Sequence, residues 1–247
     1  RYASSRFPGK ALALLAGRPI LERVWRQARA SGAASVVIAT DDERIASAAR
    51  GFGADVVMTR TSHRSGTERA AEVADQQGWR DDTVVVNCQG DAPLIPPACL
   101  DQVARLLVEH PGAGLATLCT PVATAGDYRN PNVVKVVCTQ DGRALYFSRA
   151  PIPSASHSAS GASDPSGFPP SLRHVGLYAY RAGALRRLAA AEPCELEVTE
   201  SLEQLRALWL GLEIRVAQAA ESLGPDVDTP EDLERAAHFL RRSGGIT

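Results

Sequence analysis

No apolar run in this 247-residue chain approaches the roughly 20 residues that a membrane-spanning helix needs, so a helical span is excluded. Arg1 to Lys10 has no apolar stretch of the secretory kind, and no signal peptide is expected. Neither charge sign dominates. Lys and Arg number 27 against 28 Asp and Glu, a net charge of -1, and no tract is strongly basic. That argues against nucleic acid as the main partner, because backbone binding needs a concentrated positive surface. One small anion held by a few local arginines is not excluded. No Cys-x-x-Cys pair occurs among Cys88, Cys99, Cys119, Cys138 and Cys194. Reduced thiols are therefore expected, rather than a zinc site or disulfide framework, which makes the cytoplasm the expected compartment. The glycine fingerprint G-x-G-x-x-G is missing, so a dinucleotide-binding dehydrogenase loses its main support. Gly9-Lys10 lacks the earlier glycine and the following Ser or Thr of a Walker A loop.

What the sequence does have is alternation. Helical periods over Arg18–Ala30, Asp42–Arg50, Gly66–Gln77 and Pro96–His110 separate short β-branched runs at 35–40, 54–59, 83–87 and 115–120. Short apolar strands between helices predict a mainly parallel sheet covered on both faces, an α/β fold. Beyond that, 133–138 and 144–147 flank Gln140-Asp141-Gly142 as a hairpin. The Ser-, Pro- and Gly-rich run 153–171 reads as a mobile surface loop. A strand at 174–180, helices at 182–190 and 201–210 and a strand at 214–217 follow. The last helix opens at Thr229-Pro230-Glu231-Asp232, with Thr229 as cap, Pro230 first in the helix and Asp232 completing a capping box.

Four segments carry chemistry. Arg1 to Lys10 packs Arg1, Arg6, Lys10, two serines and a glycine ahead of a helix, the equipment a triphosphate needs; an exposed polar loop is the plainer account. His63 to Arg69 lies at a strand-to-helix junction, where Ser65 or Thr67 is either a helix cap or part of a nucleotide-contacting turn. Asp91 follows an apolar strand, at the edge where open α/β sheets bind ligands, and a carboxylate there suits magnesium against phosphate; it is equally a turn aspartate. Asp228 precedes a helix N-terminus, either as a dipole-favoured carboxylate or as a second magnesium ligand.

Taken in order, RYASSRFPGKAL, TRTSHRSGTERAAEV, VVVNCQGDAPLIP, NPNVVKVV, ALYFSRAPIP, RHVGLYAYRAGALRRL, LEQLRALW and DVDTPEDLERA resemble the 3-deoxy-manno-octulosonate (Kdo) cytidylyltransferases. The resemblance covers nearly the whole chain. It implies one domain over 1–247, a three-layer α/β/α nucleotidyltransferase fold, and an excursion at 132–180 for the sugar pocket and homodimer contacts. It also implies transfer of CMP from CTP to the anomeric hydroxyl of Kdo, with Mg2+, for lipopolysaccharide synthesis. Position by position, Arg1, Arg6 and Lys10 match the phosphate grip, and Ser65, Gly66, Thr67 and Arg69 the turn near the nucleotide. Gln89 matches a contact to sugar or nucleotide, and Asp91 and Asp228 the metal-binding carboxylates. Arg149, His174, Tyr178, Glu203 and Gln204 match the sugar pocket, with Arg149 forking onto the sugar carboxylate. Three departures stand out. The family's opening strand, ending in Pro-Ala, does not precede Arg1, so the sheet is expected to lack its first strand. Ala92 replaces an acidic residue, and Val198 stands in a segment that commonly bears histidine. The alternatives left open are another acidic sugar, such as a sialic acid or 8-amino-Kdo, and a non-catalytic nucleotide-binding fragment.

Overall fold

The computed structural model describes residue 2, residues 7–154 and residues 168–242. After a 3-10 turn at Lys10–Leu12 come β1 (Leu14–Leu15), β2 (Arg18–Pro19), α1 (Ile20–Arg29), β3 (Val37–Thr40), α2 (Glu43–Gly51), β4 (Asp55–Met58), α3 (Gly66–Gln76), β5 (Val84–Asn87) and α4 (Pro97–Glu109). The second half holds β6 (Leu115–Pro121), α5 (Ala125–Arg129), β7 (Lys135–Cys138), β8 (Ala144–Ser148), β9 (Leu172–Arg181), α6 (Ala182–Ala190), α7 (Glu195–Glu200), α8 (Gln204–Trp209), β10 (Ile214–Gln218) and α9 (Pro230–Arg242).

Most elements form where period and β-branching place them. The expected helix over 201–210 does not run through: Ser201 takes left-handed angles (φ 52, ψ 49) and ends α7, so α8 starts afresh. The short β1–β2 ladder and α5 have no clear periodic signal. Of the expected loop at 153–171, residues 155–167 lie outside the described residues.

The chain divides into two compact units. One comprises the residues up to Trp79, Asn87–Gln102 and those from Ala220 onward; the other comprises Arg80–Val86 and Val103–Ala219. In the first, β3 and β4 pair in parallel, Val37 opposite Asp55 through Thr40 opposite Met58. Helix α1 feeds two apolar clusters. Ile20 and Val24 pack with Leu15, Leu94, Val227, Ala236 and Leu240, while Leu21 packs with Ala11, Ile38, Ile45, Ala49 and Ala54. Each large side chain fully buried in this way contributes about 1.5–3 kcal/mol before entropy is counted.

The second unit holds a six-stranded sheet in the order β10-β6-β9-β7-β8, with β5 also on β9. Pairing is parallel between β10 and β6 and antiparallel for β6–β9, β7–β8 and β7–β9, so this sheet is mixed. The reason is local: a tight turn can join β7 to β8 only as antiparallel neighbours. At its tip, Gly142 takes φ 81 and its carbonyl accepts the Val216 N–H of β10 at 2.8 Å. Arg143 bridges Arg215 beside it. Between Thr117 and Leu118 the β6–β9 register slips, leaving a bulge on β9.

Candidate active site

In the first unit, one ammonium joins the two aspartates. Lys10 Nζ donates to Asp91 Oδ2 at 2.6 Å and to Asp228 Oδ1 at 2.8 Å. Local structure explains the meeting. Gly9, at φ 73, donates its N–H to the Tyr2 carbonyl, and a Cβ there would press on the Tyr2 ring at 3.3 Å. Tyr2 in turn lies under the Arg44 guanidinium, 3.4 Å from ring centroid to Cζ. Asp91 follows β5 in a turn whose carbonyl accepts the Val227 N–H at 2.8 Å, stitching it to the Asp228 segment. Val227 is fully buried beside Leu94, which anchors that stitch. Asp232 then accepts the N–H groups of Asp228 (3.0 Å) and Thr229 (2.9 Å), and Thr229 Oγ1 accepts the Asp232 N–H: the capping box is made. Ala92 is buried behind this turn.

Burial alone would lower the Lys10 pKa, but its bonds to Asp228 and Asp91 more than offset this and hold it above the ordinary lysine value. Among the described residues no three His, Cys, Asp or Glu side chains cluster as a metal cage. Two carboxylates reachable by one cation still fit Mg2+, which takes one or two carboxylates and completes its shell with phosphate and water. The nearby Cys88 thiol is pushed up to about 12 by burial and by the charges of Asp91 and Asp226, so it is no nucleophile.

Ser65 caps α3, accepting the Glu68 N–H at 3.2 Å, so the plainer reading of that residue is realised. A Cβ on Gly66 would sit 3.5 Å from Asn87 Nδ2 and 3.7 Å from Gln89 Nε2, which puts the start of α3 beside Gln89. Thr67 is buried within the first turn of α3. Arg69 is buried too, and its guanidinium is spent internally on Thr59 Oγ1 and on Asp41 (2.7 Å). Arg1 and Arg6 lie outside the described residues.

The remaining predicted residues belong to the second unit. Phe147, His174, Tyr178 and Tyr180 form a row of neighbouring rings, with centroids 5.1, 5.3 and 5.7 Å apart in succession. His174 is half-buried, and desolvation, with Arg173 adding to it, pushes its pKa down to about 3, which favours the neutral ring. Tyr178 is raised well above 10 by burial and by the nearby Tyr180 and Glu203. The Tyr178 hydroxyl and the Gln204 amide nitrogen are buried with no hydrogen-bond partner among the described residues. Both residues are over nine-tenths buried. Unpaired buried polar atoms are costly, and a polar ligand satisfies them.

Arg149 is a clamp. Its Nε donates to the Glu200 carbonyl (2.7 Å), one η nitrogen to Pro131 (2.9 Å) and the other to Ser201 (3.3 Å). Among the described residues three of its five N–H groups are thus committed, and two are left to offer a carboxylate. The Glu200 carboxylate accepts Ser148 Oγ (2.6 Å) and the Arg149 N–H (2.9 Å). Sequence reasoning passed over Lys135, which is fully buried and donates to the carbonyls of Asn130 (3.0 Å), Val133 (2.5 Å) and Arg149 (2.7 Å). Carbonyls solvate this cation without neutralising it, and burial lowers its pKa. Lys135 and Arg149 give this region two cations, set against the carboxylates of Glu200 and Glu203.

A carboxylate pair bound to one ammonium on an α/β frame is the equipment of a nucleotidyltransferase, and the relatives bear that class out. The cytidylyltransferase family profile matches residues 1–214. The chain is 55% identical over 242 residues to the 3-deoxy-manno-octulosonate cytidylyltransferase of Pseudomonas syringae pv. tomato (97% of this chain, 95% of the relative). It is 52% identical over 241 residues to that of Thioalkalivibrio sulfidiphilus (98% and 96%). Among solved structures it is similar to CMP:2-keto-3-deoxy-manno-octonic acid synthetase complexed with CTP, with a TM-score of 0.89, 38% identity and coverage of 98% and 96%. A cytidylyltransferase of Leptospira borgpetersenii, at 16% identity and a TM-score of 0.59 (98% and 84%), shares the fold. The chain belongs to the 3-deoxy-manno-octulosonate cytidylyltransferase family.

Proposed function

We propose that this chain transfers CMP from CTP to the anomeric 2-hydroxyl of 3-deoxy-manno-octulosonate, releasing pyrophosphate, as the names of its relatives suggest. The observation that carries the reading is the meeting of Asp91 and Asp228 on one cation. The sugar hydroxyl attacks the α-phosphorus in line with the departing pyrophosphate, and the protein contributes mainly position and charge. Asp91 and Asp228 are the residues to hold Mg2+, which when bound neutralises α- and β-phosphate oxygens. Lys10 turns to the triphosphate once those carboxylates have another counter-ion. In the second unit, Tyr178, Gln204 and His174 orient the sugar, and the free N–H groups of Arg149 meet its carboxylate.

The product would serve lipopolysaccharide synthesis in the cytoplasm, in keeping with free cysteines and with the absence, among the described residues, of a helix long and apolar enough to cross a membrane. A homodimer fits the exposed Leu145, Leu196, Val198 and Trp209 of β8, α7 and α8. A single-monomer sedimentation profile at micromolar concentration would sink that part. The activity test is pyrophosphate release. It should need CTP, a divalent ion and Kdo together, with sialic acid and 8-amino-Kdo as poorer acceptors, and Asp91→Ala should abolish it. Undiminished release by Asp91→Ala would refute the assignment.

A further inference from the structure

Thr117 is a residue that neither sequence reasoning nor the proposed chemistry has used. It is fully buried on β6, at the point where the register with β9 slips. Its Oγ1 lies 2.8 Å from the Leu177 carbonyl, 3.0 Å from the Val175 carbonyl and 3.1 Å from His174 Nε2. A hydroxyl carries one proton and two lone pairs. Two of the three neighbours are carbonyl oxygens, which can only accept. If the proton went to His174 instead, hydroxyl lone pairs would face both carbonyls at close range with nothing between them. The proton therefore goes to a carbonyl, and the third neighbour must donate.

We propose that Thr117 is a positioning residue that fixes His174 as the Nε2–H tautomer, so that His174 presents a bare Nδ1 as acceptor for a hydroxyl of the acidic sugar. The sugar half of this rests on the function proposed above; the tautomer does not. Among the described residues no group bonds Nδ1, and the ring is only half-buried. One donated bond from Nε2 to Thr117, with no carboxylate bonded to the ring among the described residues, suits a neutral imidazole, and desolvation favours that form. His174 then accepts, while the neighbouring Tyr178 hydroxyl, itself without a partner among the described residues, has a proton to give. The two make complementary demands that sugar hydroxyls can meet and that a methylene cannot. The bulge is what allows this: Val175 and Leu177 both turn carbonyls toward one side chain, and this converts a threonine into an obligate acceptor for its third neighbour.

The test reads the tautomer directly. Two-bond proton–nitrogen spectra of the 15N-labelled, substrate-free protein resolve the five histidines, and His174→Gln identifies the signal by its loss. The expected pattern is neutral, protonated at Nε2, and retained in Thr117→Ser. In Thr117→Val it should move toward a mixture or the other tautomer. The KM for the sugar should then rise roughly three- to tenfold, as for one lost neutral hydrogen bond, with the KM for CTP unchanged. An Nδ1–H pattern or an imidazolium in the unsubstituted protein overturns the proposal. So does a Thr117→Val enzyme whose tautomer moves while its sugar KM does not. Should Thr117→Val fail to fold, the unsubstituted and Thr117→Ser spectra still decide the tautomer. A chain with no activity on Kdo would count against the functional reading and leave the spectroscopic result standing.

Discussion

The carboxylate of Asp232 accepts the main-chain N–H of Asp228 at 3.0 Å, so one side chain both starts helix α9 and aims the second carboxylate of the site. Replacing it separates those roles. Asp232→Ala should cost about 1 kcal/mol, since it removes the reciprocal half of the capping box that Thr229 begins. It should also weaken Mn2+ or Mg2+ binding roughly tenfold, as loss of an outer-shell partner does. Denaturant melts and metal titration together are the measurement. Full loss of stability with unchanged metal affinity would confine Asp232 to the helix.

Lys10 is a counter-ion between two carboxylates, which makes it a competitor of any divalent cation there. Lys10→Met leaves Asp91 and Asp228 facing each other uncompensated. Its Tm should fall without metal and rise more steeply with added MgCl2 than that of the unsubstituted protein. Turnover should drop roughly a hundredfold, the scale of one lost charge contact to a reacting phosphate. Equal thermal response to MgCl2 in both proteins would argue against competition.

The Tyr178 hydroxyl is buried without a partner among the described residues. Tyr178→Phe removes a desolvated polar atom and should leave Tm unchanged or raise it slightly. The same change should raise the KM for the acidic sugar. A clear loss of stability would mean that the hydroxyl is already satisfied.

His174 makes stability depend on pH. Its folded pKa is depressed to about 3, below the ordinary 6.5. Between those values the unfolded chain binds the extra proton, so stability falls as pH drops from about 6.5 toward 3 and levels off below. The slope for one proton cannot exceed about 1.4 kcal/mol per pH unit, and partial solvent access to the ring makes it shallower. His174→Gln should show a flatter acid limb in urea melts at stepped pH. Superimposable pH profiles would mean that the ring takes up protons alike in both states.

Helix and strand positions were legible because period and β-branching are local signals, and the Thr229–Asp232 box was legible for the same reason. The site was harder to read. Lys10 stands 81 and 218 positions from its two partners, and no spacing rule reaches that far. The family resemblance, not the residues alone, put Asp91 and Asp228 in one place. Lys135 was invisible because a lone lysine in VVKVV reads as an outward strand residue. Only the carbonyls of Asn130, Val133 and Arg149 converging on it make burial tolerable. Thr117 looked like any β-branched strand residue, since its role depends on a register slip in another strand. Ser201 broke an expected helix through left-handed angles that serine seldom adopts and sequence does not announce.

The tip of the β7–β8 turn shields part of a sheet edge. Gly142 and Arg143 lie along β10, the far margin of the sheet, where Arg215 also grips Asp141. A Cβ on Gly142 would fall 2.8 Å from the Val216 carbonyl, so nothing larger than glycine lets the latch shut. The turn takes up the Val216 N–H of this edge strand, so a stray strand finds that group already spent. One hydrogen atom in place of a methyl group thus lets the turn cover part of an edge strand.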